Sequence, residues 1–208
     1  MPKIEVEHRG LLTEKKFAEL NKFLKKNGKF LGEKDRFSFI YFDHGKEADF
    51  NLQKDNPVDL RLRITNKKSE LVLKHGKWGG KESRKEFFFP IDTKKFEEMA
   101  EFLQILGFYY GGLQATKTKA YLYKGVGFAL VKVPGWGYYF EAEILVDPNK
   151  ADIADKKVEE ICKVLGLEVL NDKDFYKLCT ELNDRPGFTF NLRKEKFSDI
   201  KKRFKDYF

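Results

Sequence analysis

Charged residues recur at every second position through most of the extended stretches of this 208-residue chain. Glu5, Glu7 and Arg9 open it in "IEVEHR", Arg61 and Arg63 follow in "VDLRLRIT", and Glu141 and Glu143 close the series in "FEAEI". Between them fall Lys74, the pair Arg84 and Glu86, and the pair Lys117 and Lys119. The intervening positions are mostly apolar: Ile4 and Val6; Leu60, Leu62 and Ile64; Leu71 and Leu73; Phe140, Ala142 and Ile144. A strand sends successive side chains to opposite faces, so each set shares one face. A sheet of such strands has one charged face and one apolar face, and the apolar face needs cover.

Helical segments are available as cover. Phe17, Leu20, Phe23 and Leu24 repeat at three- and four-residue spacing after Thr13, a good N-cap, and Asn27-Gly28 ends the run. A second amphipathic helix spans about 93–106, and three more follow at 152–165, 172–182 and 194–206. The spacing predicts strands at 4–10, 35–43, 58–65, 69–75, 84–89, 115–123, 127–133 and 138–146. Short turns join most neighbours, which predicts antiparallel pairing. Residues 1–150 are expected as a strand-rich body and 151–208 as a helical segment packed on it. The stripe of Phe197, Ile200 and Phe204 suits docking of the last helix on its own sheet better than on a membrane.

Charge alternation ordinarily marks a solvated face, but the order of signs points elsewhere. Acids come in Glu-x-Glu pairs on the first and last strands, and bases cluster on the strands between. Four carboxylates suit a hard cation such as Mg²⁺ or Mn²⁺, and Arg side chains grip phosphate oxygens in bidentate fashion. Cation and bases together are the parts of phosphoryl chemistry. The net charge of +8, from 41 basic and 33 acidic residues, agrees with an anionic partner. "GKWGGKES" at 76–83 lacks the spacing of a phosphate loop and reads as a hairpin turn. His8, His44 and His75 share no ligand spacing, and Cys162 and Cys179 form no metal motif. Neither a leader nor a run of 18 apolar residues is apparent, so a cytoplasmic location away from membranes is expected.

Taken as a set, these motifs resemble the CYTH domain, the triphosphate tunnel metalloenzyme superfamily. "IEVEHR" is similar to its opening Glu-x-Glu-x-Lys signature. "YFD" at 41–43, "LRLR" at 60–63, the lysine of "LVLKHG", "SRKEF" at 83–87, "KTK" at 117–119 and "GWGYYFEAE" at 135–143 follow in the family's order. The resemblance covers about residues 3–146. It implies an α+β fold: a closed antiparallel eight-stranded β-barrel with flanking helices and a helical C-terminal segment. The lumen is then the charged face. Arg61, Arg63, Lys74, Arg84, Lys117 and Lys119 are implied as ligands of a small-molecule triphosphate, and Glu5, Glu7, Glu141 and Glu143 as ligands of Mg²⁺ or Mn²⁺. Arg9, Glu86 and Lys119 are implied as participants in the reaction, with Glu86 holding basic neighbours or joining the metal shell.

The chain departs from the pattern in three places. Arg9 stands at the family's lysine, Lys119 at an arginine, and Val131 where many members carry an aspartate. The implied reaction is hydrolysis of inorganic tripolyphosphate, a nucleoside triphosphate or thiamine triphosphate. Cyclisation of ATP by a class IV adenylyl cyclase is the alternative. A third reading is a barrel that binds polyphosphate or nucleic acid without turnover, although nucleic acid is not the favoured partner. A homodimer is compatible with the sequence.

Overall fold

The computed structural model describes residues 3–42, 58–77, 81–183 and 185–208, and for residues 58, 76, 77, 81–85 and 183 the backbone alone. The architecture is α+β. The strands are β1 (Ile4–Leu12), β2 (Lys29–Tyr41), β3 (Val58–Thr65), β4 (Lys68–Lys77), β5 (Lys81–Ile91), β6 (Tyr110–Tyr123), β7 (Val126–Val133), β8 (Gly137–Val146) and β9 (Thr189–Asn191). The helices are α1 (Glu14–Asn27), α2 (Phe96–Ile105), α3 (Ala151–Val164), α4 (Asp172–Asn183) and α5 (Phe197–Arg203). All eight expected strands and five expected helices are present. Strand β2 starts at Lys29 rather than 35, and β6 at Tyr110 rather than 115. Residues 29–35 carry mostly exposed side chains, so no apolar alternation advertises that ladder.

The chain divides into two compact units. One comprises Met1–Lys34, Gly76–Lys85 and Thr116–Phe175, the other Asp35–His75, Glu86–Ala115 and Tyr176–Phe208. Both draw on segments from either side of residue 150.

In the first unit, β1 pairs antiparallel with β8 from Ile4↔Val146 to Leu12↔Tyr138, and with β5 at Glu7↔Glu82. Strand β8 pairs with β7, and β7 with the C-terminal half of β6. Thr13 caps α1 through a 3.1 Å bond from the Lys16 amide. Leu20 and Leu24 of α1, and Val158, Ile161 and Cys162 of α3, cover Tyr121, Phe128, Leu130, Phe140 and Ala142 of the strands. Burying a side chain such as Phe140 stabilises the fold by about 1.5–3 kcal/mol. His8 lies on this covered face, fully buried, with Nε2 2.6 Å from Asp155 of α3.

In the second unit, β3 lies between β2 and β4, and β6 pairs with β9 and also with β2. Phe37, Phe39, Leu62 and Ile64 are almost wholly buried beneath Phe96, Ala100 and Leu103 of α2 and Ile200 of α5. Many of the chain's 21 phenylalanines meet here: Phe37 against Phe204 at 4.5 Å, Phe39 against Phe190 at 4.8 Å and against Phe197 at 5.7 Å. The stripe on α5 thus docks on its own sheet. The C-terminal segment also holds β9, a three-residue strand too short to show a pattern in sequence. No helix is long and apolar enough to cross a membrane among the described residues.

Gly10 marks where the chain beyond α3 crosses β1. The Leu170 amide bonds to the Arg9 carbonyl at 2.9 Å, and a Cβ on residue 10 would lie 1.9 Å from the Glu168 carbonyl oxygen. Backbone has to move to admit it, so Gly10→Ala should destabilise the protein by about 1–3 kcal/mol or more. Urea unfolding measures this; a change below ~0.5 kcal/mol would show that the crossing relaxes freely.

Candidate metal and phosphate site

Register fixes the membership of the charged face in the first unit. Glu7 lies opposite Glu143, Arg9 opposite Glu141, and Glu5 opposite Leu145. Carboxylate oxygens of Glu5, Glu7 and Glu143 lie within 4.8 Å of one another. Glu141 shares the face but stands outside this trio. At that spacing and an effective dielectric of about 20, each pair of full charges repels by roughly 3.5 kcal/mol. Folding does not place three carboxylates so close without compensation.

Part of the compensation is visible. The Arg9 guanidinium engages Glu7 Oε1 through both Nε, at 2.8 Å, and Nη2. It is held in place by the Phe175 ring, 4.8 Å from its carbon to the ring centroid. Burial pushes the Glu143 carboxyl above its ordinary value, and the neighbouring charges of Glu7 and Glu141 push it further. A hydrogen bond with Glu5 and the charge of Lys34 pull in the opposite direction. Room for the Glu143 side chain comes from Gly127 on β7, where an added Cβ would approach Glu143 Cγ to 3.2 Å. Three oxygen donors, one of them reluctant to ionise, fit a hard divalent cation, which takes carboxylate oxygens and replaces a proton.

In the second unit the bases share the other charged face. Ser38 lies opposite Arg63 and Ile40 opposite Arg61, while Asp59 lies opposite Lys74 and Arg63 opposite Glu70. Each base has an acid. Arg61 holds Asp59 by two bonds of 2.8 and 2.6 Å, Arg63 donates Nε to Glu70 at 2.7 Å, and Lys74 pairs with Glu86. Arg63 also lies 5.5 Å from the Phe88 ring centroid. Glu86 is thus the acidic partner of Lys74. Asp59 and Glu70 are partners that no motif announced, although their two-residue spacing and cross-strand position follow from the hairpin.

Lys117 and Lys119 are not brought to the carboxylate face. Lys119 lies opposite Leu130 and Leu130 opposite Phe140, while Lys117 lies opposite Lys132 and that residue opposite Tyr138. Phe140 and Leu130 belong to the helix-covered side, so period two places both lysines there as well. Lys119 pairs with Glu33 at 3.4 Å. The residues of β6 that share the face of the glutamates include Thr118, opposite Val131, Ala120, opposite Ala129, and Leu122, opposite Gly127. Val131 is almost wholly buried on that face, beside Tyr139. Arg84 lies in β5 with its side chain outside the described residues, as are His44 and Trp78.

Raised protonation of Glu143 has a consequence for stability. Below the ordinary carboxylate range the residue is protonated in folded and unfolded chains alike. Above it, ionisation costs the folded state more, so stability is lost as pH rises through the folded-state value. With divalent cations chelated, Glu143→Gln should be more stable than the parent at about pH 8 and equal to it at about pH 3.5. Denaturant midpoints at the two pH values test this; a gain of the same size at both would point to packing instead.

A CYTH domain model matches residues 3–176. Among solved structures, a conserved protein of Pyrococcus furiosus superposes with a TM-score of 0.64 at 25% identity, over 80% of this chain and 94% of its own. An adenylate cyclase-like protein of Vibrio parahaemolyticus gives 0.60 at 14% identity, over 81% and 91%. An adenylyl cyclase-like protein of Hippeastrum, described as having a dominant triphosphatase activity, gives 0.58 at 17% identity, over 81% and 90%. No curated protein matches the sequence.

Proposed function

The chain belongs to the CYTH domain family, and from that premise we propose that it hydrolyses a small triphosphate with the help of Mg²⁺ or Mn²⁺. The observation that carries this reading is the convergence of Glu5, Glu7 and Glu143 on one point. Three buried or half-buried carboxylates at mutual repulsion are costly unless a cation joins them. Glu5, Glu7 and Glu143 would hold it, with Glu141 adding negative charge behind them. When bound there, a divalent cation polarises phosphoryl oxygens and lowers the pKa of coordinated water.

The remaining work falls to the chain's own side chains. Arg61, Arg63 and Lys74 are proposed to grip the phosphates, with Asp59, Glu70 and Glu86 keeping them extended and oriented until an anion arrives. Arg9 is proposed to hold the Glu7 carboxylate in place through a two-donor contact that the family's lysine would not make. Closure of the eight antiparallel strands into a tunnel belongs to the same proposal, and the pairing of β2 with β6 supports it. A cytoplasmic setting is proposed as well, in keeping with two free cysteines.

Hydrolysis is preferred to cyclisation because the parts in hand, acids for a cation and bases for phosphates, suffice for it. The dominant triphosphatase activity ascribed to the Hippeastrum protein points the same way. Incubation with tripolyphosphate, ATP or thiamine triphosphate plus Mg²⁺ or Mn²⁺ should release phosphate, and chelation should stop it. Glu5→Gln and Glu7→Gln should each lower kcat/KM by about 100-fold or more. Release of pyrophosphate and cyclic AMP from ATP would establish the cyclase instead. Turnover that persists in both glutamine variants would refute the metal assignment.

A further inference from the structure

Phe88 is an apolar ring in charged company. Residues 86–91 of β5 belong to the second unit. Glu86 pairs with Lys74, which has the parity of Glu70 and Val72, the residues opposite Arg63 and Arg61. Period two therefore sets Phe88 on the same face as Glu86 and the two arginines, opposite the aromatic core beneath α2 and α5. The Arg63 guanidinium carbon, 5.5 Å from the Phe88 ring centroid, agrees with that placement. The ring is nevertheless 50% exposed.

A phenylalanine beside an arginine is ordinarily a prop for the guanidinium. Arg63 has its own support, however. Its Nε donates to Glu70 at 2.7 Å on β4, the strand that lies between β3 and β5. Phe88 adds nothing to the core behind the sheet, and half of its apolar surface stays in water. That exposure costs free energy which a bound apolar surface would recover. The partner that suits a ring best is another ring, stacked with an offset. Such stacking tolerates different bases, because every base has a π-face.

We propose that the exposed surface of Phe88 is a stacking subsite for a heteroaromatic ring carried by the substrate, which makes the substrate class a ring-bearing triphosphate rather than inorganic tripolyphosphate. The proposal rests on the triphosphate reading above and deepens it. Arg63 links the two subsites, since the guanidinium assigned to a phosphate lies beside the ring assigned to the base. A substrate that carries both groups gains from both at once. Nucleotide bases and the rings of thiamine share this chemistry, and the test separates them.

Steady-state kinetics of the full chain with ATP, thiamine triphosphate and tripolyphosphate, in Mg²⁺ or Mn²⁺, decide the matter. The parent should turn over at least one ring-bearing substrate with a higher kcat/KM than tripolyphosphate. Phe88→Ala should lower kcat/KM for that substrate about tenfold or more, mainly through KM, and that for tripolyphosphate by less than about twofold. Phe88→Trp should keep the preference, whereas Phe88→Leu, which retains bulk without a π-face, should lose it. The substrate with the larger loss identifies the ring. Thermal melts confirm that each variant is folded. An equal loss on all substrates would show that the ring only props Arg63 and would overturn the subsite. A parent that prefers tripolyphosphate would overturn it as well, and both outcomes leave the triphosphate reading in place. Absence of turnover of every triphosphate by the parent overturns that reading and the subsite with it.

Discussion

Glu7 faces Glu143 across the β1–β8 ladder, and much of the first unit is arranged around that like-charge pair. Directly opposed acids destabilise a sheet. The register nevertheless cannot slip. Moving β1 by one residue would carry Val6, His8 and Leu12 out of the covered core and push Glu7 and Arg9 into it. Apolar packing against α1 and α3 therefore dictates where the carboxylates stand, and their repulsion is borne by the rest of the fold. Arg9 on Glu7, the Glu5–Glu143 hydrogen bond and the vacant space at Gly127 are the local means of bearing it.

The same division of labour holds in the second unit. Its aromatic core beneath α2 and α5 fixes the registers of β2 on β3 and β3 on β4. Those registers line up Arg36, Arg61, Arg63 and Lys74 on the face opposite that core. A face of four uncompensated bases would repel itself, so acids are interleaved at Asp59, Glu70 and Glu86. The result is a charged surface whose members are oriented by the core behind them. Rigid placement of this kind is what electrostatic catalysis requires, because little reorganisation remains when charge develops.

Much of this was legible in the sequence, because period two and period 3.6 leave different traces and the apolar sets here are long. Glu5, Glu7 and Glu143 came together as their strands predicted, and so did Arg61, Arg63 and Lys74. The failure at β6 is instructive. "ATKTKAYLY" interleaves Ala and Thr, which are at home on either face, so the motif's lysines drew attention without fixing parity. A better signal lay just beyond. Lys124 and Gly125 both have positive φ, as a two-residue hairpin turn of the I′ type demands. With that turn, Leu122 must lie opposite Gly127, and counting back puts Thr118, not Lys119, with Val131. Turn geometry thus outranks motif spacing wherever the alternation is weak. The strand β2 escaped notice for a related reason: its first half is polar on both faces, so only its hydrogen bonds reveal it.

The departures at Arg9 and Val131 fall on the same face of the sheet, the one that carries the glutamates. Val131 and Thr118 make the β6–β7 side of the glutamate face neutral, while Arg9 brings a fixed positive charge to Glu7 on β1. Removing an acid from one wall while binding another acid to an arginine lowers the negative charge available to cations from both directions.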